Sequence, residues 1–80
     1  MQLKTLFRSQ PSDTEIASTQ EAGYASWREA SDGVAEGYRS WTAAAPDERW
    51  LAHAAYLAAL EREEEAARAY QLLVEQTAAA

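Results

Sequence analysis

Residues 23–30 read Gly-Tyr-Ala-Ser-Trp-Arg-Glu-Ala, and fourteen residues later 37–44 read Gly-Tyr-Arg-Ser-Trp-Thr-Ala-Ala. Gly, Tyr, Ser, Trp and Ala recur at matching places: Gly23/Gly37, Tyr24/Tyr38, Ser26/Ser40, Trp27/Trp41 and Ala30/Ala44. Further on, Ala52-His53-Ala54-Ala55-Tyr56 is echoed by Ala66-Ala67-Arg68-Ala69-Tyr70 at the same step. Two heptads separate the copies, a spacing that returns a side chain to nearly the same face of a supercoiled helix. The pattern specifies long packed helices, and no reaction.

The first helix is expected to start at Ser12. Ser12 and Glu15 have capping-box spacing, and Asp13 suits the positive end of the helix. On a helical wheel Gln20, Tyr24, Trp27, Ser31, Val34, Tyr38 and Trp41 form one stripe. Beside it runs a strip of small residues: Ala22, Ser26, Ala30, Gly33, Gly37, Ser40 and Ala44. That strip would let a second helix backbone approach closely. Ser31-Asp32-Gly33 is the one place where the helix could break. The repeat continues across it, which favours a continuous helix.

Ala43 to Glu48 carries the turn, with Pro46 placed as a first helical residue. A connection this short makes the two helices antiparallel neighbours. The second helix is expected from about Pro46 to Gln76. Its seam is expected to carry Ala52, Ala55/Tyr56, Ala59, Ala66, Ala69/Tyr70 and Leu73, with alanine every seven residues. The chain thus reads as three parts: a flexible arm over 1–11, a helical hairpin domain over 12–76 and a frayed end over 77–80.

Two helices bury one face each, and this pair has more apolar surface than that. Trp50, Ala54 and Leu57 continue the apolar character of the second helix around to another side. Exposing most of three tryptophans and four tyrosines on a bare hairpin would leave a patch unusual for a monomer. The expectation is an all-α antiparallel hairpin that dimerises into a four-helix bundle. The expected interface residues are Tyr24, Trp27, Val34, Tyr38, Trp41, Trp50, Leu57 and Leu60. At helical spacing this stripe reads as core, where truncating a fully buried tryptophan costs ~3–5 kcal/mol.

Other chemistry finds little support. A net charge of −6, with Lys4 the only lysine, argues against a nucleic-acid partner. No apolar run reaches membrane-spanning length. The chain has no cysteine, which excludes disulfides and thiolate metal sites and fits a cytoplasmic location. His53, the only histidine, reads as a core or rim residue. Glu61, Glu64 and Glu65 are the weak candidates for a shared metal site, but carboxylate-bridged bundles add Glu-x-x-His, and that spacing is missing. They read as a solvated helix face. No catalytic residue, metal or cofactor is expected.

The architectural plan is similar to the small secreted WXG hairpin proteins: short, acidic, cysteine-free, with a tryptophan near the turn. Trp41-Thr42-Ala43 has alanine where that family carries glycine, and Val74 stands four places after Tyr70, where the secretion signature needs an acid. The likeness therefore implies a helical hairpin and no more. Function is expected to be association, with a second copy or as the obligate subunit or inhibitor of another protein, antitoxin-like or a secreted WXG-like partner.

Overall fold

The computed structural model describes residues 12–79. The arm expected over 1–11 lies outside them. Within them are two helices: α1, Asp13–Ala43, and α2, Arg49–Ala79, each of 31 residues. At 1.5 Å per residue each is ~46 Å long.

α1 begins where the sequence places it. The Glu15 amide donates to Ser12 Oγ at 3.2 Å, and the Ser12 amide donates to Glu15 Oε2 at 3.3 Å. Both halves of the capping box are formed. The helix runs through Ser31-Asp32-Gly33 without a break, and no described residue has a positive φ. A glycine inside a helix costs about 1 kcal/mol relative to alanine. Packing of Ala30 and Val34 on either side of Gly33, both half-buried, holds the helix together there.

α1 ends at Ala44, whose extended backbone (φ −69°, ψ 143°) leaves the helical region. Its amide donates to the Trp41 carbonyl at 3.3 Å. Pro46 then serves the turn. The Glu48 amide donates to the Ala45 carbonyl at 2.9 Å, so Pro46 occupies the second position of a reverse turn. The Glu48 carbonyl accepts from the Ala52 amide at 3.1 Å and opens α2. The helix consequently starts three residues later than the expected Pro46 and extends past Gln76 to Ala79. Proline's fixed φ suits a first helical turn and a reverse turn equally, so the residue alone does not separate the two.

The helices are antiparallel and meet along one seam. On α1 it follows Ile16, Gln20, Gly23, Trp27, Ala30, Val34, Gly37, Trp41 and Ala44, in alternating steps of four and three. On α2 the matching line is Ala52, Tyr56, Ala59, Glu63, Ala66, Tyr70, Leu73 and Thr77. This seam runs between the two strips expected from the wheel and, from Trp27 onward, takes alternate residues from each. Large side chains (Trp27, Val34, Trp41) alternate with small ones (Gly23, Ala30, Gly37). At the open end Gln20 Nε2 donates to Thr77 Oγ1, which in turn donates to the Leu73 and Val74 carbonyls at 3.0 Å.

The three glycines of α1 do different things. A Cβ built on Gly37 would lie 3.4 Å from the Tyr56 Cα, so the backbone of α2 passes directly over it. A Cβ on Gly23 would come within 2.7 Å of Leu73 Cδ1 and 3.3 Å of Tyr70 Cδ1. Gly33 faces open space, with nothing within 4 Å. Gly33→Ala is therefore expected to raise stability by ~1 kcal/mol through helix propensity alone. Gly37→Leu, whose further atoms would meet the Tyr56 backbone, is expected to lower it by ~1–3 kcal/mol. Urea melts of both variants at one protein concentration measure the difference.

Candidate interaction surface

The repeated octapeptide builds the same arrangement twice. In the first copy, Tyr24 meets Trp27 at 5.8 Å and 67°, and Tyr70 at 5.8 Å and 60°. Trp27 and Tyr70 stack at 6.1 Å with only 8° between their planes. In the second, Tyr38 meets Trp41 at 6.2 Å and 81°, and Tyr56 at 5.8 Å and 61°. Trp41 and Tyr56 stack at 5.5 Å and 19°. Edge-to-face and offset-stacked rings each contribute ~0.5–1.5 kcal/mol beyond their burial. Each cluster is an aromatic clamp across the seam, with a glycine beneath the α2 tyrosine.

The clamps differ in their polar trim. Trp27 Nε1 donates to Glu63 Oε2 at 2.7 Å, a short charge-assisted bond across the seam. Trp41 packs on His53 instead, with ring centroids 4.6 Å apart. His53 is half-buried against an indole, in keeping with a rim residue.

A two-helix slab has two broad sides, and the seam divides them. Tyr24 and Tyr38 flank it on one side of α1, with His53, Leu60, Ala67 and Val74 on the same side of α2. Trp50 and Leu57 continue this aromatic side outward. Ser26, Gly33 and Ser40 flank the seam on the other side, with Ala55, Arg62 and Ala69 from α2. The surface hollows respect this division. Ala17, Gln20, Glu21, Tyr24 and Tyr70 line one on the aromatic side. Ser26, Glu29, Ala30, Gly33 and Arg62 line one on the small-residue side, and Ser40, Ala43, Ala44, Leu51 and Ala55 contribute to another. These hollows are open to solvent and enclose nothing.

Burial is very limited. Among the described residues only Ala59 is buried, at 3% exposure. Of the expected interface residues, Trp27, Val34, Trp41 and Leu60 are half-buried within the hairpin. Tyr24, Tyr38 and Leu57 remain exposed, and Trp50 reaches 73%. Tyr56, Tyr70 and Glu63 belong to the clamps but were not among the expected interface residues. The fourteen-residue echo between Tyr56 and Tyr70 is the signal that pairs them with the two tryptophans, once the helices are laid antiparallel.

Glu61, Glu64 and Glu65 are all exposed on the outward part of α2. Among the described residues no group of three His, Asp or Glu side chains converges closely enough to hold a metal ion. No helix of the described residues is long and apolar enough to cross a membrane. No family model, curated protein or solved structure significantly matches the chain.

Because Trp27 is half-buried, truncating it is expected to cost less than the full value for a buried indole. Trp27→Ala should lose ~2–3 kcal/mol, combining the ring stack and the bond to Glu63. Trp27→Phe keeps the stack and loses only the Nε1–H donor, for ~1 kcal/mol. Denaturant melts followed by far-UV circular dichroism, at fixed protein concentration, distinguish the two.

Proposed function

We propose that this chain is a small non-catalytic helical association module that works by pairing with a second copy of itself. The observation that carries the reading is the near absence of a core. A domain this small is marginal even with a well-formed core, and here, among the described residues, only Ala59 is buried. Meanwhile Tyr24, Tyr38, Trp50, Leu51, Leu57, Leu72 and Val74 stay exposed. The hydrophobic effect, at roughly 25 cal/mol per Å² of apolar area, favours covering them. Packing against two further helices would convert the hairpin into a four-helix bundle, the ordinary arrangement for helices of this length and connection.

The same exposure supports a second reading, in which helices of another protein cover the hairpin as an inhibitor or obligate subunit would require. Trp50 favours this reading, because an exposed tryptophan next to a turn suits an anchor for a foreign surface. The two readings separate on the isolated chain. Light scattering after gel filtration, across a concentration series, is expected to give a mass near twice 8.8 kDa. A monomer that stays loosely folded and binds hydrophobic dye would transfer the proposal to a different partner. A compact, dye-free monomer would remove it.

A further inference from the structure

Resting on the reading of the chain as a self-pairing module, we infer that the second copy docks on the aromatic side of the hairpin, with α1 of each protomer laid along α2 of the other. Three observations lead there. The first is where the apolar surface lies. Among the described residues, five of the seven exposed large hydrophobic side chains, Tyr24, Tyr38, Trp50, Leu57 and Val74, lie on the aromatic side. Only Leu51 and Leu72 lie on the small-residue side.

The second is charge. The small-residue side carries Glu15, Glu29, Glu36 and Glu65 against Arg62, so two such faces would repel. Among the described residues, the aromatic side carries only Glu21, Arg28 and Glu64, all on its outer edges. Like charges brought together across an interface are strongly disfavoured. Area is also sufficient: two helices ~46 Å long and ~10 Å across present roughly 900 Å², against the ~800 Å² per partner of a standard interface.

The third observation selects the arrangement. Arg28 stands fifteen residues from either end of α1, and Glu64 fifteen from either end of α2. Both lie at the outer edge of the aromatic side, at the middle of the slab. Face-to-face hairpins can be related by a two-fold axis across the helices or along them. An axis across the helices stacks α1 on α1 and α2 on α2. It brings Arg28 against the partner's Arg28 and Glu64 against the partner's Glu64. An axis along the helices stacks α1 on α2 and brings Arg28 toward the partner's Glu64, twice by symmetry. It also sets Tyr38 over the partner's Leu57, at the same height along the bundle. Opposite charges at the two midpoints thus select the orientation, as edge charges do in helical bundles, and the axis along the helices then keeps matching heights together.

The test is a charge-reversal cycle on the full chain, with dimer dissociation constants from sedimentation equilibrium and helicity from circular dichroism. Arg28→Glu and Glu64→Arg should each weaken the dimer about tenfold or more, since each creates two like-charge contacts. The double variant should return to within about threefold of the parent. Leu57→Glu should dissociate the dimer, and Leu72→Glu, on the opposite side, should leave it intact. A double variant no better than the singles would overturn the arrangement. A dimer broken by Leu72→Glu and indifferent to Leu57→Glu would overturn the choice of face and leave self-pairing in place. A folded monomer in the parent chain would remove self-pairing and the docking mode together.

Discussion

Everything in this hairpin depends on how closely α2 passes over α1 at two glycines. Gly23 and Gly37 have no side chain to hold the helices apart, so Tyr70 and Tyr56 settle against the α1 surface. From there each tyrosine ring stacks on the tryptophan one turn further along α1. The α1 tyrosine of each repeat, Tyr24 or Tyr38, closes its cluster edge-on. Replace the glycine with a bulky residue and the stack loses its geometry. The glycines and aromatics of the repeat are one device used twice, about four turns apart, which sets the register of the whole hairpin.

The same device limits the fold. Two helices share one seam, and large residues alternate with small ones along it, so the seam is narrow. It shields the flat faces of the clamp rings and leaves the outer edges of Tyr24 and Tyr38 in water. Along the strip, among the described residues, only Ala59 is buried, and its neighbours keep part of their surface in water. On the proposed reading, what the hairpin leaves exposed is what another pair of helices covers. Its acidic outer positions keep the remaining surface hydrated and repel unwanted like-charged neighbours.

The polar pairs across the seam have a different role from the aromatic ones. Trp27 to Glu63 and Gln20 to Thr77 each join a seam residue of α1 to one of α2. A half-buried hydrogen bond contributes about 1 kcal/mol or less. Its geometric demand is sharper than that of an apolar contact, since slipping one helix by a turn would leave donor and acceptor apart. The pairs therefore discriminate between registers that the two similar clamps alone would tolerate. A fourteen-residue slip would match one clamp with the other, and would set Trp27 beside a different α2 residue.

Much of this was readable from the residues. The capping box at Ser12, two long antiparallel helices and continuity through Gly33 follow from local chemistry and from a repeat that returns side chains to one face. These features depend on neighbours three to fourteen residues apart, which the sequence displays directly. What tertiary structure decided is the placement of the seam itself. A wheel divides α1 into an aromatic stripe and a small-residue strip, yet the contact line runs between them and draws on both. The pairing of Tyr70 and Glu63 with Trp27, and of Tyr56 with Trp41, also came only from the fold. These partners lie thirty-six or more residues from the tryptophan in the Trp27 clamp, and fifteen in the Trp41 clamp, which adjoins the turn. No local periodicity states how one helix is rotated against another. That rotation is settled by where backbone can approach backbone, and here it can do so only over glycine and alanine.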